Sequence, residues 1–147
     1  MILAAIGLFH LANGLFMAAD PGGWYFATPG VPQTGPMNHH FIVDIGLAFS
    51  ASGAGLLFTF RAGRAAAAFV LAGAIRPALH AIFHIIEWLS HGVPPDLAAA
   101  AAEGLGVIVV GLLGLALAAR QFAIEESSNV EIAFSSQDRP NGAGFRL

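Results

Sequence analysis

Four stretches of this chain are each long and apolar enough to cross a lipid bilayer, and they leave room for little else. A membrane-spanning helix needs about 20 mostly apolar residues. By that measure spans are expected at about 1–19, 37–60, 65–90 and 97–119. Inside hydrocarbon every backbone N–H and C=O must be satisfied within the protein, so such runs form helices. The expected fold is an all-α integral membrane protein. Residues 1–120 form a four-transmembrane-helix bundle, up-down-up-down, with a Pro/Gly-rich outer loop, and 121–147 form a polar cytoplasmic tail.

Charge content agrees. Only 10% of residues are Asp, Glu, Lys or Arg, where a soluble domain carries about 25%. With 6 basic and 9 acidic residues there is no basic surface to follow a phosphate backbone, so nucleic acid is excluded as a partner. The absence of Cys removes disulfides, thiolate metal sites and thiol nucleophiles. The first span lacks the basic n-region of a signal peptide and carries His10 and Asn13, so it is expected to stay in the bundle.

The arginines set the expected orientation. Arg61 and Arg64 lie in the turn between the second and third spans, and Arg120 ends the fourth. The loops at 20–36 and 91–96 have no Arg or Lys. The positive-inside rule places both termini and the arginine turn in the cytoplasm, as in a bacterial inner-membrane protein. Trp24, Tyr25 and Trp88 then fall at the outer boundary. The 20–36 loop reads as an irregular cap from its Pro and Gly content, and a short strand is expected at 130–134.

Nine charged residues precede the tail, and four of them lie inside spans: Asp44, Arg76, Glu87 and Glu103. Each costs about 2.5–3.5 kcal/mol at mid-bilayer, so each calls for a function or a partner. His80, His84 and Glu87 are spaced i, i+4, i+7 on one helical stripe, with Arg76 one turn before them. His40 and Asp44 share a face of the second helix, as do His10 and Asn13 on the first. Counting in from the outer boundary, Asn13, Asp44, His84 and Glu103 reach a common depth of about 10 Å. One polar site in the outer half of the bundle is the expectation.

Imidazole and carboxylate without sulfur suit a divalent transition metal: Zn, Fe, Mn or Cu. The candidate ligands are His10, His40, Asp44, His80, His84, Glu87 and Glu103, around one ion or two. Asn13 and Arg76 are expected behind them, Arg76 as counter-ion to a carboxylate. Glu87 or Asp44 is the candidate catalytic base if it is not a ligand. Each residue also has a plainer reading: Asn13 as interhelical glue, His10 as a hydrogen-bonded core residue, and His39 and His91 as interfacial groups.

The leading functional expectation is a membrane metalloprotein, with a metal-dependent oxidoreductase or hydrolase acting on an apolar or lipid-like small molecule as its enzymatic form. The alternatives are a proton or ion relay or small transporter, a metal-free acid–base enzyme, a haem-binding protein, and an accessory membrane subunit. Polar groups confined to the outer half weigh against a complete transport path. Ser52, Gly53, Gly55, Ala72, Gly73, Ala100, Gly104, Gly111 and Gly114 form small-residue faces, suited to closing the bundle or to pairing a homodimer.

Overall fold

The computed structural model describes residues 1–137, and all of its regular structure is helical. The elements are α1 (Ile2–Ala19), α2 (Pro21–Ala27), α3 (His39–Leu57), α4 (Arg64–His91), α5 (Leu97–Ala101) and α6 (Val110–Gln137). A π-helical segment, Ala102–Val109, joins α5 to α6 without a break. Four helices are long and apolar enough to cross a membrane: Ile2–Ala19, His39–Phe60, Arg64–His91 and Leu97–Ser135. Large apolar side chains cover the outside of the bundle, among them Leu8, Phe16, Leu47, Phe60, Phe69, Leu79 and Leu112.

The 20–36 loop is more ordered than its Pro and Gly content suggests. Asp20 ends α1 and also caps α2, accepting a 2.8 Å bond from the Gly23 N–H, with Pro21 at the first helical position. Buried Tyr25 then donates its hydroxyl to the Gly35 carbonyl at 2.6 Å, tying the loop down. An Asp-Pro start outweighs two following glycines for one short helix. Asn38 and Asp96 cap α3 and α5 in the same way.

The core divides into two. At the arginine-bearing end, Leu3, Ile6, Leu56, Val70, Ala74 and Ala118 form one cluster drawn from α1, α3, α4 and α6. At the other end, Met17, Tyr25, Ile42 and Phe49 form a second cluster, confined to α1, α2 and α3. The chemistry-bearing residues of α4 and the π segment lie outside this second cluster.

Backbones approach closely where side chains vanish. A Cβ on Gly53 would lie 2.5 Å from the Leu11 nitrogen and 2.6 Å from the Gly7 carbonyl oxygen. One on Gly111 would lie 2.5 Å from the Pro77 carbonyl oxygen. Ser52, Gly53, Gly55, Gly73 and Gly111 therefore close the bundle itself. Helix α4 runs through Pro77 as one element.

The tail departs from expectation. No strand forms at 130–134, because α6 continues to Gln137. Its first turns past Arg120 hold the arginine turn: Glu125 accepts the Gly63 N–H at 3.1 Å, Glu126 pairs with Arg64 at 2.7 Å, and Thr59 bonds Gln121 at 2.9 Å. The polar residues read as an extension are partly contacts that fix the start of α4.

Gly53→Ala is expected to lower stability by about 1–3 kcal/mol despite its better helix propensity, because the added methyl meets backbone. Thermal unfolding of the purified protein in detergent measures it.

Candidate functional site

The site is built on a row of residues spaced by four. In a helix of 3.6 residues per turn each step of four advances about 40° around the axis. Arg76, His80, His84 and Trp88 form such a row along α4. Glu87 falls about 100° from Trp88 by the same arithmetic, and it turns away, to within 3.6 Å of His91. The row therefore meets the neighbouring helix through Trp88, which the i, i+7 reading passed over.

That neighbour is the π segment. Its wider turns carry Glu103 in the first turn, followed by Gly104. Long π segments are rare and recur at functional sites. The Trp88 ring lies against Gly104, where a Cβ would come within 3.0 Å of it. From there the indole N–H donates to the Glu103 carboxylate at 2.6 Å. The same carboxylate oxygen lies 3.2 Å from His84 Nδ1. On the far side of the ring, His84 Nε2 faces His80 Nε2 at 3.1 Å.

Donor and acceptor counting orders this run. A carboxylate at Glu103 only accepts, and with it in that form the run is satisfied when His84 holds its proton on Nδ1 and presents a lone pair at Nε2. His80 then donates from Nε2 and carries its own lone pair on Nδ1. The His84 and Glu103 side chains are only 18% and 21% exposed. Gly30, at φ 87°, brings the capping loop over them, its Cβ position 3.8 Å from Glu103 Oε1.

Beyond His80 the site turns aromatic. Phe49 of α3 is the hub: the His10 ring lies 5.4 Å from it, the His80 ring 6.0 Å, and the Arg76 guanidinium 3.7 Å above its face. His10 is only 3% exposed. Among the described residues, neither of its ring nitrogens has a partner, and neither does Arg76 Nη1. Arg76 was expected to balance a carboxylate. Among the described residues it makes no salt bridge, and Glu103, on the π segment, is held instead by Trp88 and His84.

The seven candidate ligands thus separate. His80, His84 and Glu103 come together, and His10 adjoins them across Phe49. His40 and Asp44 pair with each other at 3.2 Å, with side chains 90% and 58% exposed, on the outside of α3. Glu87 pairs outside α4. Asn13 accepts from the Trp24 indole at 2.9 Å and serves the cap. Among the described residues, no three His, Asp or Glu side chains gather as a metal shell would require. Two contributors were missed from sequence: Trp88, whose signal was its place in the 76-80-84-88 row, and Phe49, which has no local signal.

No family model matches the chain, and no curated protein or solved structure is significantly similar to it.

Trp88→Phe, which leaves Glu103 short of a donor, is expected to cost about 1–3 kcal/mol. In ¹⁵N NMR of histidine-labelled protein, His84 should be protonated at Nδ1 in the wild type and lose that preference in Glu103→Gln.

Proposed function

We propose that this chain is an integral membrane protein that performs acid–base chemistry on an apolar small molecule at the Glu103–His84–His80 run. The continuity of that run, ending on a lone pair at His80 Nδ1, carries the reading. His80 is the base, and His84 and Glu103 are positioning residues. When His80 takes a proton, the positive charge forms in a site of restricted water access, and it is stabilised through His84 by the Glu103 carboxylate. Such an arrangement contributes about 10²–10⁴-fold to a proton transfer. Glu87 and Asp44, the earlier candidates for this role, sit outside the bundle.

In this reading the four spans alternate up and down, and Arg61, Arg64 and Arg120 face the cytoplasm of a bacterial inner membrane with both termini. The Gly30 loop then roofs the site from outside, and lipid covers the apolar exterior. The chain has no Cys, so single cysteines report topology directly. With an impermeant maleimide, Thr34→Cys should label on intact cells and Ser128→Cys only after lysis.

Chemistry is tested by deuterium exchange. Purified protein in D₂O is incubated with membrane-soluble carbon acids, and incorporation is followed by mass spectrometry. His80→Ala should abolish exchange and Glu103→Gln reduce it, while His40→Ala leaves it unchanged. Equal exchange in wild type and His80→Ala would reject the proposal.

One observation favours a metal as the second reading. Two nitrogens 3.1 Å apart match adjacent ligands on one ion with bonds of about 2.0–2.1 Å. Glu103 on His84 Nδ1 is the carboxylate partner that orients a ligating His. Zn, Fe, Mn or Cu would then sit between His80 and His84, acting as a Lewis acid when bound. Elemental analysis should find it lost in both His80→Ala and His84→Ala, and held about 10–100-fold more weakly in Glu103→Gln.

A further inference from the structure

Three cationic or donor-capable side chains surround the Phe49 ring: Arg76 above its face, His10 beside it on α1 and His80 beside it on α4. They also lie within electrostatic reach of one another. Arg76 Nη1 and both His10 nitrogens are buried with no acceptor or donor opposite them among the described residues. Water can satisfy such groups as hydrogen-bonding sites, but it cannot balance the charge on Arg76. A guanidinium in a low-dielectric interior requires a counter-charge. Glu103 already accepts from Trp88 and His84.

The geometry points to a carboxylate-binding site at Arg76 and His10, which takes the head of an apolar monocarboxylic acid. One uncompensated positive charge matches one monoanion better than a phosphate dianion. The planar guanidinium edge fits the two oxygens of a carboxylate, and a His10 N–H supplies a further donor. Phe9 packs edge-on against His10 and Phe83 flanks His80, giving the walls an apolar character for the tail. Packing between α1 and α6 is sparse, which leaves that side for a tail to enter from lipid. The carboxylate would lie next to His80, so the inference rests on the acid–base reading and names its substrate class.

Binding is measured with radiolabelled decanoate on the full chain in lipid nanodiscs, with empty nanodiscs as the partition background. Saturable binding of one decanoate per chain is expected, with competition by unlabelled decanoate, little by acetate, and none by decanol. Arg76→Gln and His10→Phe should each weaken it by about tenfold or more. Where Arg76→Gln fails to fold, Arg76→Lys keeps the charge and loses the planar fork, and it should bind more weakly than wild type. Binding no greater than to empty nanodiscs, equal competition by decanol, or undiminished binding by folded Arg76→Gln and His10→Phe would overturn the proposal. Acetate competing as well as decanoate would reject the apolar-tail requirement and leave a soluble carboxylate as the ligand. Glu103→Gln should retain decanoate binding while its deuterium exchange falls, so failure of the acid–base reading and failure of this one give different results.

Discussion

Placing a carboxylate inside an apolar bundle is the constraint on which the rest of this structure depends. Glu103 has few ways to remain there. It accepts the Trp88 indole N–H at 2.6 Å and faces His84 Nδ1 at 3.2 Å. Those two contacts fix much else. They require α4 to present an i, i+4 row and not an i, i+7 stripe. They require the helix carrying Glu103 to turn widely there, and they require a residue without a side chain at Gly104 so that the indole can approach. Removing either donor leaves a charge in a medium where an unsatisfied group costs far more than it would in water.

The glycines have the complementary role. Gly7 and Gly53 set α1 on α3, Gly55 and Gly73 set α3 on α4, and Gly111 sets α6 against the Pro77 carbonyl. Packing of this kind supplies association between apolar helices where the hydrophobic effect supplies little. The bundle is closed by an apolar cluster at the arginine-bearing end, and at the other a smaller apolar cluster on α1, α2 and α3 adjoins the polar residues of α4 and the π segment.

The four long apolar helices were legible because length and apolarity decide them, and their ends at the arginine turn and at the capping loop fall within a few residues of the apolar stretches in the sequence. The site was half legible. His84 and Glu103 share a depth that counting along the helices reveals, with His80 one turn deeper, and the three do meet. Asp44 shares that depth and His40 lies one turn shallower, yet both point outward, because depth fixes height along a helix and says nothing of its rotation. Rotation is set by the glycine contacts between helices, and sequence patterns of small residues allowed several closures. Trp88 was read as an interfacial aromatic; its indole reaches into the bundle because Gly104 opposite it has no side chain. The tail misled for a different reason. Glu125 and Glu126 look like a solvated charge run, but in the fold they meet the Gly63 N–H and Arg64 at the start of α4.

The separation of the two interior charges has a further consequence. Arg76 and Glu103 are the ionisable residues of opposite sign within the bundle, and they stand at opposite ends of the His80–His84 pair. A direct ion pair would have neutralised both and left the histidines as spectators. With the histidines between them, the charges are joined only through two titratable rings. A proton arriving at His80 is repelled by Arg76 and drawn toward Glu103. A ligand that neutralises Arg76 would remove the repulsion and leave the attraction. Occupancy beside Phe49 and protonation of the run are in this way coupled by electrostatics alone, with no movement of the helices required.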